Sequence, residues 1–294
     1  MSRYSLKRSV GRAGRPGWFA VLSMATAVLA LAACAPAPVA TSQPASPLAS
    51  QAVAGSVAQP VAPSPTQAPP AAVRSADGPL PVPPNLVALA QPAGQKRLID
   101  AAANQSYWPL SQYFETQRNE AYCSVATSVM ALNALGIRRP VSTLYPDFPY
   151  FSQEDFFRGV DPQVANAARV SHEGMTLDQL GAALHAFAVV VQPYHAADLT
   201  LAQFRDLIRE TTRRGDRFAL LNFRRVEIGE TGGGHWSPLA AYDATSDSAL
   251  LLDVARYKYP AVWVPVAQLY AAALAVDNVS GLSRGVVVIG RRQG

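Results

Sequence analysis

The sequence predicts an α+β fold, with helices gathered in the first half of its ordered part and strands in the second. Three observations carry that expectation. Ser152-Gln153-Glu154-Asp155, Thr176-Leu177-Asp178-Gln179 and Thr200-Leu201-Ala202-Gln203 each have the form of a capping box, in which a hydroxyl and a residue three positions on satisfy the free N–H groups of a helix start. A longer helix begins at Cys123, carries Val125, Val129, Leu132 and Leu135 as an apolar stripe, and is closed by Gly136. From residue 218 onward, apolar runs of strand character follow one another at 218–223, 236–242, 249–255 and 285–289, with one helix around 266–274. This segregation argues against a doubly wound parallel sheet, and no internal repeat is visible.

The chain has 294 residues and 49% hydrophobic content, enough for a proper core. Residues 1–33 read as a secretory signal: Arg3, Lys7, Arg8, Arg12 and Arg15 form a charged start, and residues 18–33 carry no charge. The run is too short for a membrane span of roughly 20 residues. It ends in Leu31-Ala32-Ala33-Cys34, which resembles the bacterial lipobox, so Cys34 is expected to be lipidated and to become the N-terminus on the periplasmic face of the envelope. Ala35 behind it favours the outer membrane of a Gram-negative host. Residues 34–84 hold 13 of the chain's 24 prolines and no periodic pattern, which predicts a flexible, partly polyproline tether to a domain at 85–294. Five of the 25 Lys+Arg and none of the 20 Asp+Glu lie in residues 1–33, so the remainder is balanced, 20 against 20. The net charge of +5 therefore gives no reason to expect nucleic-acid binding.

Within the domain, order is expected to begin near residues 86–94, with a short helix over 95–103. Tyr107-Trp108-Pro109-Leu110 reads as an aromatic strand or turn leading to Phe114, and 138–150, rich in Pro and Tyr, as a loop. The box at Ser152 opens a short helix with Phe156 and Phe157 inward. Leu177, Leu180, Leu184 and Phe187 form the stripe of the next helix, a strand follows at 189–191, and Phe204 and Ile208 face the core from a helix ending at Gly215.

The chemistry centres on Cys123. A cysteine in the first turn of a helix meets unpaired N–H groups and the positive end of the dipole, which favour its thiolate. The alternative is a small buried hydrophobe. With Cys34 lipidated, Cys123 has no partner, and a lone thiol in an oxidising compartment favours the reactive reading. Of the four histidines, His172, His185 and His195 suit core or surface roles. His235 follows Gly232-Gly233-Gly234 and opens an apolar strand, and Asp253 interrupts the apolar run 249–255. The intervening 243–248 reads as a hairpin turn. If odd positions pair with odd, His235 and Asp253 share a face one diagonal step apart, so that Asp253 can orient the imidazole and the other ring nitrogen can face Cys123. Gln117 is placed to donate to an oxyanion beside the Cys123 backbone N–H.

Thr116-Gln117, Ala121-Tyr122-Cys123, the helix Val-Met-Ala-Leu-Asn-Ala-Leu-Gly, Gly234-His235-Trp236-Ser237-Pro238 and the run from Leu252 to Pro260 resemble the phytochelatin synthase family, most closely its single-domain bacterial members. The likeness spans residues 86–289 and implies a papain-like cysteine-protease fold. It implies Cys123 as nucleophile, His235 as base and acid, Asp253 as orienter and Gln117 in the oxyanion hole. The implied reaction cleaves glycine from glutathione through a γ-glutamylcysteinyl thioester, passed to water, as single-domain relatives tend to do, or to a second glutathione to give phytochelatin. Arg256 and Lys258 match the family's basic residues after the aspartate and suit a substrate carboxylate. No cofactor is implied; a heavy-metal ion such as cadmium enters as a glutathione complex in the substrate. Ser124 stands where many relatives have glycine, and no counterpart of the cysteine-rich C-terminal region of plant and yeast members is expected, so its metal sensing is not carried over. Two rival readings use the same residues: a papain-like peptidase acting on envelope peptides, and a non-catalytic binding lipoprotein.

Overall fold

The computed structural model describes residues 78–141 and 145–292. The signal expected at 1–33, the lipidation expected at Cys34 and the expected tether up to residue 77 lie outside the described residues. In chain order the elements are β1 (Val87–Ala88), α1 (Pro92–Asp100), α2 (Tyr107–Gln112), α3 (Cys123–Leu135), α4 (Ala167–Glu173), α5 (Leu177–Leu184), β2 (Val189–His195), α6 (Leu201–Thr212), β3 (Arg217–Arg224), β4 (Gly234–Asp243), β5 (Ser248–Leu251), β6 (Val262–Pro265), α7 (Val266–Leu274) and β7 (Gly285–Arg291). Among the described residues the strands form one seven-stranded sheet in the order β1-β6-β5-β4-β3-β7-β2, every neighbour antiparallel. The fold is α+β, as the segregation of elements predicts. No helix among the described residues is long and apolar enough to cross a membrane.

Alternation along β3 separates two cores. Phe218 and Leu220 pack with α3 and α5 on one face; Ala219, Leu221 and Phe223 pack with Phe204 and Ile208 of α6 and Leu269 of α7 on the other. Helix α3 is more deeply placed than one apolar stripe implies. All its residues but Ala134 are buried, including Ser124, Thr127, Ser128 and Asn133. It is a central helix: Ser128 Oγ donates to Ser124 O at 2.7 Å and Asn133 exchanges two hydrogen bonds with the Phe151 backbone, at 2.8 and 3.1 Å, while Ser124 Oγ and Thr127 Oγ1 find no partner among the described residues. Gly136 ends it with φ 58°, the left-handed conformation a C-terminal glycine supplies without strain.

The boxes at Thr176 and Thr200 are both complete, each hydroxyl accepting from the N–H three residues on and each glutamine returning to the cap. At Ser152 the element is a 3-10 turn over Asp155–Gly159, with Phe156 buried and Phe157 only partly so. Other expectations are corrected. Residues 107–110 are helical, because Pro109 sits in the first turn, where a missing N–H costs nothing. The first helix runs over Pro92–Asp100 rather than 95–103, with proline again at its start. Strand β2 extends to His195 through Pro193, which an edge strand tolerates. Residues 80–84, placed in the tether by composition, join the folded part: the Leu80 N–H donates to Lys258 O at 2.8 Å and Val82 packs on the second core.

Candidate active site

The loop before α3 is held from two sides. The Gln117 N–H donates to Val254 O at 2.9 Å, tying it to the segment that carries Asp253. Gln153, from the box at Ser152, accepts from the Arg118 N–H at 3.0 Å and donates to Thr116 O at 3.0 Å. Cys123 is then the first residue of α3, 7% exposed, with no side chain capping the helix start. Burial alone would push its thiol up. The hydrogen bond and charge of His235, with backbone bonds from Trp236 and Ser124, outweigh burial and hold the thiol below its ordinary value.

Asp253 reaches His235 because of a defect in the sheet. Near the hairpin, β4 and β5 pair Asp243 with Ser248 and Ala241 with Leu250; beyond it, Leu239 pairs with Leu251, leaving Ala240 as an extra residue. Strand β5 ends at Leu251, so Asp253 lies past the strand rather than within it, where its Oδ1 accepts the Ala255 N–H at 2.8 Å in a turn of its own making. The register nevertheless continues: the Leu252 N–H donates to Pro238 O at 3.1 Å and the Val254 N–H to Ser237 Oγ at 3.3 Å, setting Asp253 opposite Ser237. His235, two residues away on the same face, places Nε2 at 2.9 Å from Asp253 Oδ1, which leaves Nδ1 for the sulfur. Without the bulge, Asp253 would face the other side of the sheet. Burial lowers the imidazole's affinity for a proton, but the Asp253 charge and the bonds to Asp253 and Cys123 prevail over burial and Arg225, and His235 is shifted up. Asp253, fully buried, is held well below the carboxylate range by His235 and Arg225 despite its burial.

Arg225 grips Asp253 with two bonds, Nη1 to Oδ2 at 2.6 Å and Nη2 to Oδ1 at 2.9 Å, and its Nη1 also meets Glu230 Oε2. Glu230 is itself buried, and burial, only partly offset by Arg225, pushes its carboxyl up to about 7.

The Gln117 amide is near but engaged: Nε2 donates to Asn119 O at 2.7 Å and to Tyr257 Oη at 3.1 Å, and Oε1 finds no partner among the described residues. Arg256 and Lys258 do not line the cleft beside Cys123. Arg256 lies over the Phe114 ring at 4.7 Å and donates to Phe114 O at 3.3 Å, while the Lys258 backbone is bonded to Leu80 and Ala255. The cleft, of about 320 Å³, is lined by Cys123, His235, Met175, Thr176, Asp277 and Arg284, with His172 at its exposed rim. Arg284 Nη1 bonds Asp277 Oδ2 at 3.0 Å and Asn222 Oδ1 at 2.7 Å, and its buried Nε has no partner among the described residues. Burial depresses its guanidinium below the usual value, against the pull of Asp277 and Cys123. A Cβ at Gly234 would overlap this guanidinium, the close approach that the glycine run before His235 permits. His195 bonds Ser283 O at 2.6 Å and Asp178 at 3.1 Å, and His185 is exposed at the end of α5.

A helix-borne thiol with a lowered value, an imidazole with a raised one and a buried carboxylate behind it form an arrangement suited to acyl transfer. A family model for phytochelatin synthase matches residues 78–286. The chain belongs to the phytochelatin synthase family. It is 30% identical over 219 residues to glutathione gamma-glutamylcysteinyltransferase 3 of Lotus japonicus, covering 72% of this chain and 43% of that one. It is 31% identical over 220 residues to glutathione gamma-glutamylcysteinyltransferase 1 of Triticum aestivum (72% and 42%), and 25% identical over 197 residues to the Schizosaccharomyces pombe protein of that name (66% and 45%). The chain thus spans less than half the length of these curated relatives.

The antiparallel sheet and the Cys123-led helix against it are compatible with the papain-like fold of the phytochelatin synthase family. Four charged residues around the site, Arg225, Glu230, Asp277 and Arg284, are not singled out by the sequence reading. Each sits in or beside a loop, where charge reads as solvated surface. The signal available was the pair Arg225 and Glu230 within the seven residues before the glycine run. Among the described residues no group of three or more His, Cys, Asp or Glu is placed to hold a metal ion.

Proposed function

We propose that the protein is a glutathione γ-glutamylcysteinyltransferase-type enzyme held at the periplasmic face of a bacterial envelope by lipid on Cys34. The observation that carries this reading is the buried Cys123–His235–Asp253 alignment, with His235 Nε2 at 2.9 Å from Asp253, in a chain of the phytochelatin synthase family. The Cys123 thiolate attacks the carbonyl carbon of the Cys–Gly bond of glutathione. His235, as imidazolium, gives its proton to the departing glycine amine, and the γ-glutamylcysteinyl group remains as a thioester on sulfur. The neutral imidazole then takes a proton from water, whose oxygen attacks the thioester to release γ-glutamylcysteine and restore the thiolate. Attack by the amine of a second glutathione gives phytochelatin instead. Hydrolysis is the main turnover and transpeptidation the lesser, metal-promoted one, with cadmium entering as a thiolate complex of the substrate.

The oxyanion of the tetrahedral intermediate accepts from the Cys123 backbone N–H, which α3 leaves free, and from Gln117, whose hydrogen on the half-exposed Tyr257 hydroxyl is the one it can release. Arg284, with its unpaired Nε, suits the glutamyl carboxylate, and Asp277 the ammonium beside it. These replace Arg256 and Lys258 in that role, which stand outside the cleft.

Incubating the protein with glutathione, with and without cadmium, and identifying products by mass spectrometry tests the reading. Glycine release that Cys123→Ser abolishes is expected. Cleavage of ordinary peptides without glycine release from glutathione would favour the envelope peptidase, and a Cys123 that resists alkylation at neutral pH the non-catalytic lipoprotein. For the anchor, radiolabelled palmitate should enter the wild-type protein in cells and fail to enter Cys34→Ser; equal labelling of the two would reject it.

A further inference from the structure

The charge behind Asp253 exceeds what orientation of a histidine requires. Asp253 already accepts from His235 Nε2, from both ends of Arg225 and from the Ala255 N–H, so its lone pairs are met and Arg225 neutralises it. Glu230 adds a second carboxylate to the same guanidinium, with no exposed side-chain surface. Its one side-chain bond is to Arg225 through Oε2, and its Oε1 finds no partner among the described residues, so its charge is directed at this cluster alone.

Its surroundings hold few other charges. Arg225 lies between the rings of Phe223 and Tyr259, at 5.9 and 5.4 Å, and the Tyr259 hydroxyl is occupied by the Thr231 N–H at 2.7 Å. Helix α7, packed against residues 225–228, carries no charged side chain. Arg224 pairs outward with Glu227 at 3.8 Å, and Lys258 Nζ comes up to the Gly232 side of the loop. His235 faces the group from β4 through Asp253. With Glu230 ionised, Asp253, Arg225 and Glu230 sum to one negative charge; with Glu230 protonated they sum to zero. In a buried site of low effective dielectric, one unit of charge beside an imidazole decides whether it keeps its proton.

We infer that Glu230 is a positioning residue whose ionisation fixes Arg225 and supplies the negative charge that lets Cys123 and His235 rest as thiolate and imidazolium. This rests on the reading of Cys123 and His235 as a nucleophile and its partner, but not on the identity of the acyl donor. Burial pushes this carboxyl up to about 7, so the thiolate population should fall as pH drops through neutrality, before the thiol itself takes a proton from solvent.

The test is the rate of alkylation of Cys123 by iodoacetamide in the full chain, read on the Cys123 peptide by mass spectrometry from pH 5.5 to 9. The wild-type rate should rise through an inflection near pH 7. Glu230→Gln, which keeps the shape and loses the charge, should remove that inflection and react about tenfold more slowly at pH 8, the equivalent of about one pKa unit. Glu115→Gln, at the other carboxyl that burial pushes up to about 7, should leave the profile intact. A Glu230→Gln profile within twofold of wild type throughout would overturn the inference. If Glu230→Gln does not fold, the carbon-13 titration of glutamate carboxyls in the wild-type protein decides. Capping Cys123 should raise one neutral-range midpoint by about one unit, because coupling is reciprocal, and an unmoved midpoint would refute it. Failure of glycine release would bear only on the acyl donor, since alkylation needs no glutathione.

Discussion

Two arginines flank His235, and they are satisfied to different degrees. Behind the ring, Arg225 binds Asp253 twice and Glu230 once and is sandwiched between aromatic rings, with 4% of its side chain exposed. In front, Arg284 has one carboxylate, one amide oxygen and an unpaired Nε, and it opens into the cleft. The closed side can set protonation and geometry because nothing from solvent competes for its donors. The open side retains a partly desolvated donor that a substrate carboxylate can satisfy. A fully buried cluster of this kind contributes little net stability while intact and costs much when broken, whereas the more open Arg284 pair costs less to break and shows its main effect once ligand is measured.

The largest effect should come from the closed side. Arg225→Met leaves Asp253 and Glu230 buried and uncompensated, and should lower stability by about 3–5 kcal/mol by denaturant titration. Retention of wild-type stability would show that the cluster is hydrated. Arg284→Gln should act mainly on substrate, raising KM for glutathione by about tenfold to a hundredfold, with a smaller loss of stability of about 1–3 kcal/mol from the Asp277 and Asn222 oxygens it leaves unpaired. A change in kcat alone would place Arg284 nearer the chemistry than its position suggests. A smaller effect separates the two sides by pH. The Glu230 carboxyl is raised in the folded state, so between its unfolded value and about 7 the folded protein binds more protons than the unfolded chain, and stability falls as pH rises across that window. Glu230→Gln should flatten this slope by roughly 1–2 kcal/mol between pH 5 and 8, with Arg284→Gln leaving it unchanged. The smallest concerns a region remote from both: Thr200→Ala, at the cap of α6, should cost about 1 kcal/mol in stability and nothing in KM.

Features decided within a few residues were legible in the sequence. The hydroxyl-to-glutamine spacing at Thr176 and Thr200 specifies a helix start by itself, and Gly136 specifies its end. Cys123, His235 and Asp253 stand out because each violates its surroundings: a lone thiol, a histidine behind three glycines, an acid in an apolar run. What escaped depends on contacts between distant segments. Nothing local marks Ala240 as the extra residue that turns Asp253 toward His235, nor tells an arginine buried between rings from one on a surface. Residues 107–110, which read as a strand or turn, form a helix with Pro109 in its first turn, and the strand expected over 189–191 runs on through Pro193 along an edge. Arg256 and Lys258 are assigned to the substrate through their match to the family's basic residues after the aspartate; the turn at 253–259 places them outside the cleft beside Cys123.

The central claim is that the Cys123 sulfur carries the acyl group during turnover. Acid-quenching the enzyme within its first turnovers on glutathione and measuring the intact mass and the Cys123 peptide tests it most directly. One γ-glutamylcysteinyl group per chain on Cys123, absent from Cys123→Ser and His235→Ala, is the expected result. Glycine release that proceeds without this adduct and survives Cys123→Ser would contradict it.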